Sequence, residues 1–368
     1  MTTFSSAGNN CIMVGCDLHY ESMVLKIAID RDKPQTLSYA NTFAGRKRLI
    51  ADLTKRSLRA GRAKVHLVYE ACGLGFTLCD ELREAGFQCD VIAPTKVERS
   101  PKHKRTKSDE KDAERLLAVL RGHLLAGNDL PKVWIPCRQT RDDREVLRAR
   151  LDAGDKLTKV KTQIQTLLKR KGIEKPKTAG SPWTVKYRQW LQQLTQCKGQ
   201  LQGMAIALGS LLRQTKTLED EVDQLDVQIA SMSEEPRYKQ PVDAMVAEKG
   251  VGRLTAMVFL TELGDLKRFS NHKQVSSYLG LVPSSNESGE KQDRKGHITR
   301  EGPSRVRKVL CQAAWNWVRL DQRAKQHYTA MRERGKDKKK ALVAMMRILG
   351  VRLWHLGLKG IQSQNLAA

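Results

Sequence analysis

Aromatic side chains are scarce in this chain, making up 5% of its 368 residues, so its core has to be built mainly from aliphatic groups. The eight cysteines, at 11, 16, 72, 79, 89, 137, 197 and 311, form no Cys-x-x-Cys pair. That argues against a structural zinc site of the usual spacing. No run of about 18 apolar residues occurs, so no membrane span is expected. The first ten residues are polar and lack the charged-then-apolar order of a secretory leader. No internal repeat of about 20–50 residues is visible. These absences point to an intracellular protein with reduced thiols.

Acids are outnumbered as well, with 66 Lys and Arg against 40 Asp and Glu, a net charge of +26. Such an excess favours a polyanionic partner, because neutralising phosphates releases counterions and drives association. The alternative is a soluble basic protein such as a ribosomal accessory factor. The charge is uneven: residues Arg300 to Ala368 carry 16 cations and 4 acids. A second cluster, Lys96 to Lys107, holds six cations and one Glu, among them Lys102, Lys104, Arg105 and Lys107 as candidate phosphate contacts. A duplex could be gripped at both ends of the chain.

Residues 11–93 alternate short apolar runs with helical stretches. Strands are predicted at Ile12–Cys16, Met23–Ile29, Lys64–Tyr69 and Gln88–Ala93, and helices at Gly45–Arg59 and Leu74–Ala85. This is an α/β pattern with a mixed sheet. The middle differs in kind. Trp190, Leu194, Cys197, Leu201, Met204, Leu208, Leu211, Thr215, Leu218, Val222, Leu225, Ile229 and Met232 keep a 4-3-4-3 spacing, which predicts a long coiled coil. Ala153, Leu157, Val160, Ile164 and Leu167 repeat the pattern upstream, and Lys171–Trp183 reads as the turn of a helical hairpin. Self-association and an intramolecular strut are both open. The division expected is 1–125, 126–235 and 236–368, the last part mainly α-helical with a basic tail.

Four acids form the first chemical constellation. Asp17 ends the first strand and Glu70 a later one. Asp109 and Asp112 sit three apart at the start of a predicted helix and share a face. Carboxylates gathered this way make an oxygen-rich pocket for one or two Mg²⁺ or Mn²⁺ ions, which clamp the attacking and leaving oxygens in phosphoryl transfer. Each acid alone is better explained as a cap or a favourable first-turn residue, and only the four together point to a metal. Glu110 and Glu114 compete and are expected on other faces.

The second constellation is C-terminal. Gly250-Val251-Gly252-Arg253 leads into a helix and exposes backbone N–H groups suited to a DNA phosphate, as a helix-hairpin-helix element does. An ordinary tight αα turn is the equal alternative. Downstream lies a polar loop, Ser284-Ser285-Asn286-Glu287-Ser288-Gly289-Glu290-Lys291. A serine there can attack a phosphodiester and hold DNA covalently. Lys291, Arg294, Lys295, Arg300 and Arg305 are the nearby cations that would contact phosphate.

With these residues in view, the chain resembles the IS110/IS1111-type transposases over nearly all of its length. Asp17, Glu70, Asp109 and Asp112 look like that family's DEDD tetrad on a RuvC-like, RNase H-type fold. The block Gly250 to Gly264-Asp265, then Phe269, Tyr278–Pro283, Ser288-Gly289, Lys291, Gly296, Ile298, Gly302 and Arg305, looks like its C-terminal transposase domain. The resemblance implies that Ser288 is the nucleophile and that the tetrad binds the metal and works with it, across a subunit boundary in a multimer held by the coiled coil. It also implies donor and target DNA as substrates, an element-encoded guide RNA as partner, and the bacterial cytoplasm, at the nucleoid, as location. Two features depart from the family pattern. Glu287 and Glu290 flank the Ser288-Gly289 pair, where family members often have a second serine and Gly-Gly, so Ser284 and Ser285 stay in play. The 172–190 stretch is also long for a hairpin turn. A RuvC-like nuclease using metal and water, and a non-catalytic nucleic-acid scaffold, are the competing functions.

Overall fold

The computed structural model describes residues 11–94, 108–285 and 295–367. Lys102, Lys104, Arg105, Lys107, Ser288, Lys291 and Arg294 lie outside these described residues. The chain divides into two compact units, at residues 1–135 and 136–368.

The first unit is a five-stranded sheet with helices on both faces. Its strands are β1 (Cys11–Leu18), β2 (Ser22–Ile29), β3 (Gln35–Ala40), β4 (Lys64–Glu70) and β5 (Gln88–Ile92), in the order β3-β2-β1-β4-β5. β2 runs antiparallel to β1 and β3, while β4 is parallel to β1 and β5. Side chains of a strand alternate between faces. Ile12, Val14 and Cys16 therefore enter one core with Leu49 and Leu53 of α1 (Phe43–Arg59) and with Leu78 and Leu82 of α2 (Thr77–Glu84). On the other face Met13 and Val68 pack against Leu116, Leu117 and Leu120 of α3 (Asp109–Ala126). The α/β pattern with a mixed sheet is borne out. β3 was not expected; it pairs only with β2 and is mostly exposed, so its sequence lacks a clear apolar period.

Among its described residues the second unit is helical apart from one hairpin. Its helices are α4 (Arg138–Arg170), α5 (Val185–Leu194), α6 (Gln202–Ser233), α7 (Pro236–Val246), α8 (Arg253–Leu263), α9 (His272–Tyr278), α10 (Ser304–Leu320), α11 (Gln322–Glu333) and α12 (Lys338–Ala367). β6 (Pro283–Ser285) and β7 (Lys295–Ile298) form the hairpin. α4 and α6 pack side by side, and the pairs Arg150–Asp226 and Lys161–Glu219 make them antiparallel. One end of this pair, through Leu147, Leu151 and Ile229, joins the core of α7 to α12. The other end has a core of its own, where Ile164 and Leu208 meet Tyr187 and Leu191 of α5.

One expectation needs correction here. The 4-3-4-3 register from Trp190 to Met232 is not a single helix. α5 stops at Leu194, Gly199 takes a positive φ of 71°, and α6 begins only at Gln202. From Met204 onward the register is kept, and none of its members on α6 is exposed. α12 is apolar and long enough to cross a membrane, but half of its apolar stretch is buried. Ala341, Met345, Leu349 and Leu353 follow its inner face at helical spacing into the core.

Candidate active site

Sheet register does the first part of the assembly. Cys16 pairs with Tyr69 at the end of the parallel β1–β4 ladder, so the next residues along, Asp17, one before the end of β1, and Glu70, the last of β4, lie side by side. Alternation turns both toward the face covered by α3, the face of Met13 and Val68.

Gly15 does the second part. It lies on that same face, and a Cβ there would stand 2.3 Å from both the Ala113 carbonyl oxygen and the Leu117 nitrogen. Only a glycine lets the α3 backbone press this close to β1. The consequence is that the first turn of α3, with Asp109 and Asp112, reaches the end of β1. Ser108 starts that helix, its hydroxyl accepting from the Lys111 N–H.

Two cationic or proton-bearing groups hold the acids together. His19 Nε2 lies 3.0 Å from Asp17 Oδ2 and 3.4 Å from Asp109 Oδ1. Arg115 Nη2 lies 2.7 Å from Glu70 Oε1 and 3.4 Å from Asp112 Oδ1. Neither group was anticipated. A lone His and a lone Arg carry no spacing signature, although Arg115 is i+3 from Asp112, which is a usable hint. Burial pushes the Asp17 carboxyl above its usual range; His19 opposes this, and the charges of Asp112 and Asp109 add to it. The competing acids are elsewhere: Glu110 pairs with Lys26 of β2, 3.0 Å away, and Glu114 is exposed.

This donor set suits a hard divalent ion. Ligand atoms of Asp17, His19 and Asp109 all lie within 4.8 Å of one another; Glu70 and Asp112 fall outside that group, drawn together by Arg115, with Asp112 near enough for its charge to act on Asp17.

In the second unit, Gly250 has a φ of 82°, and a Cβ on it would meet the Trp317 nitrogen of α10 at 2.6 Å. The close packing of the α7–α8 corner on α10 thus accounts for this glycine. Gly252 is open to solvent and caps α8, whose first turn has no side-chain cap. Its N–H groups are available to an anion. Arg253 is half exposed, 3.7 Å from Glu234, and Arg305 is 3.4 Å from Asp152. Arg300 takes a positive φ of 56° after β7, and Lys295 opens that strand. The Ser284 hydroxyl donates to the His297 carbonyl across the hairpin at 3.0 Å, which engages one of the three candidate serines. Ser288 falls between the paired ends Ser285 and Lys295 in sequence.

Comparison with known proteins matches two segments of the chain. A transposase domain of the IS110 DEDD type matches residues 14–172, and the family described as transposase IS116/IS110/IS902 matches residues 247–329. Protein y4qE of Sinorhizobium fredii (strain NBRC 101917 / NGR234), whose name places it among transposases, is 31% identical over 274 residues, 74% of this chain. The chain spans 63% of that relative's length. Protein y4rJ of the same strain, likewise named a transposase, is 29% identical over 342 residues, covering 86% of this chain and 83% of that protein. The transposase for insertion sequence element IS1533 of Leptospira borgpetersenii is 25% identical over 305 residues, 83% of this chain and 84% of its own. With both of its halves matched in order, the chain belongs to the IS116/IS110/IS902 family of transposases.

Proposed function

We propose that this chain is the transposase of an insertion sequence, a recombinase that cuts and rejoins DNA through a phosphodiester bond to Ser288. A Mg²⁺ or Mn²⁺ ion held by Asp17, Glu70, Asp109 and Asp112 assists it. The observation that carries this reading is that Asp17 meets Asp109 at His19 while Glu70 meets Asp112 at Arg115, joining two neighbouring strands to the first turn of α3. The strand order β3-β2-β1-β4-β5, antiparallel then parallel, supports a RuvC-like, RNase H-type fold for residues 1–125. The α4–α6 pair is a helical hairpin within 126–235 whose seam closes inside one chain, and its outer faces are the part of this reading that would hold subunits together; residues 236–368 supply the serine and the basic tail.

A divalent ion at the acids supplies positive charge against the oxygens of the reacting phosphate. The chain's own groups do the rest. Ser288 Oγ forms a bond to phosphorus while the bond from phosphorus to one strand's terminal oxygen breaks, and that oxygen leaves as a hydroxyl. The reverse attack by a strand end frees Ser288 without ATP, because the phosphodiester was conserved throughout. Gly250, Gly252 and Arg253 at the start of α8, with Lys291, Arg294, Lys295, Arg300 and Arg305, take backbone phosphates of donor and target DNA. Lys102, Lys104, Arg105 and Lys107 do so near the tetrad in sequence. An RNA encoded by the element fits the remaining positive charge and serves as guide. The site of action is the bacterial cytoplasm, at the nucleoid.

The test is direct. Protein incubated with its element's junction DNA, Mg²⁺ and cognate RNA is run on a denaturing gel, where a protein–DNA adduct is expected that Ser288→Ala abolishes. An adduct that survives Ser288→Ala refutes the nucleophile. Cleavage with no adduct at all favours a metal-and-water nuclease acting through the same four acids.

A further inference from the structure

We infer that His19 is a fifth member of the metal centre, a nitrogen ligand that biases the site toward first-row ions such as Mn²⁺ over Mg²⁺. This rests on the metal-binding reading of the tetrad and extends it. His19 stands in the turn after β1, two residues beyond Asp17, and its backbone is tied on both sides. Its N–H donates to the Ser22 carbonyl at 2.8 Å, and Asn41 Nδ2 donates to its carbonyl at 2.8 Å. Asn41 is itself fixed, its N–H donating to the Glu21 carbonyl at 2.8 Å. The ring therefore does not reach the acids by chance of a loose loop.

Its Nε2 meets carboxylates from two separate elements, Asp17 of β1 at 3.0 Å and Asp109 of α3 at 3.4 Å. The three donor atoms lie within 4.8 Å of one another. Around an ion with bonds of about 2.1 Å, neighbouring ligand atoms stand about 3 Å apart and opposite ones about 4.2 Å. The trio thus closes on one ion with small shifts, His19 offering it a neutral imidazole nitrogen. The His19 side chain is 40% exposed, so an ion can reach it from solvent. Mg²⁺ takes oxygen ligands and keeps its waters, whereas first-row ions accept imidazole readily. A single nitrogen in the shell consequently separates the two.

The full-length protein titrated with Mn²⁺ and read by pulsed EPR tests this. Bound Mn²⁺ should show ¹⁴N modulation, converting to the ¹⁵N pattern when the protein is made with ¹⁵N-imidazole histidine. In His19→Asn the ion should still bind through Asp17 and Asp109, without histidine modulation. Its apparent Kd for Mn²⁺ should rise about tenfold, with little change for Mg²⁺. Bound Mn²⁺ without histidine coupling in the unaltered protein overturns the inference, as does coupling that survives His19→Asn. The isotope experiment decides alone if His19→Asn fails to fold by circular dichroism. A different outcome strikes the tetrad itself: no stoichiometric Mn²⁺ binding, or binding unaffected in Asp17→Asn with Asp109→Asn, removes the metal centre and His19's role with it.

Discussion

The acid cluster sets its members against one another, and one single substitution exposes this. Asp17 is half-buried beside other carboxylates, and burial first, then Asp112 and Asp109, raise its pKa above the usual 3.8. An acid whose folded-state pKa is raised binds its proton more tightly folded than unfolded. Stability therefore falls as pH rises from 3.8 through the raised value, and the ionised group is a net cost at neutral pH. Asp17→Asn should thus raise thermal stability at pH 7 by about 1 kcal/mol in metal-free buffer, with the gain fading as pH falls to 3.8, while strand transfer is lost. Calorimetry at several pH values checks the trend, and a gain independent of pH would contradict it. Gly15 acts through space instead of charge. Gly15→Ala places a methyl against α3 backbone atoms at 2.3 Å, so α3 must retreat. The expected result is a loss of about 1–3 kcal/mol together with weakened Mn²⁺ binding, measured by urea unfolding and metal titration. Asp17, Glu70, Asp109 and Asp112 were legible from sequence because strand ends and an i,i+3 pair leave a positional mark. Gly15 was legible in principle, since a glycine inside a strand signals close backbone approach. His19 and Arg115 were not, because their meaning depends on which elements meet.

Among the elements, the helical middle shows how far periodicity reaches. The register from Met204 to Met232 gives the inner face of α6 correctly, yet the same register continues upstream through a break. A heptad reports which side of a helix is apolar and carries no information on where the helix ends; here that information sits in Gly199. The turned-back α5 has its own anchors, Tyr187 and Leu191, in the core with Ile164 and Leu208. It is also clasped electrostatically. Glu219 of α6 accepts from Arg188 of α5 at 2.6 and 2.8 Å and pairs with Lys161 of α4 at 2.8 Å. The Arg188 hydrogen bonds, with help from Lys161, hold its carboxyl at about 2 against the usual 4.5. A lowered acid pKa contributes stability in full above 4.5, and that stability is lost as pH falls toward 2. Glu219→Gln should cost about 1 kcal/mol at pH 7, and the difference from the unaltered protein should vanish near pH 2. Equal destabilisation at both pH values would mean the clasp acts through packing alone. β3 was missed for the opposite reason, since a mostly exposed edge strand needs little apolar alternation to be held by its neighbour.

For the molecule as a whole, the net charge of +26 is best understood through positions where it works against stability. α12 opens with Lys338, Lys339 and Lys340, all exposed, in the first helical turn. The helix macrodipole makes that turn positive already, so cations there are unfavourable to folding. Asp337 partly offsets this, its carboxylate accepting from the Lys339 N–H at 2.8 Å. Three lysines kept in such a place make sense if a phosphate backbone neutralises them on binding. Each phosphate contact contributes about 0.9 to the slope of log K against log salt. Replacing Lys339 and Lys340 together with Ala should therefore lower the slope for duplex DNA by nearly two, and leave the unfolding temperature unchanged or slightly higher. By contrast, Arg305 and Lys308 are paired with Asp152 and Asp155, so replacing either should lower the slope less than replacing one of the lysines. Fluorescence anisotropy across a salt series reads all of these slopes. A double variant with an unaltered slope and higher stability would assign the lysines no part in DNA binding and move the phosphate contacts elsewhere in the basic tail.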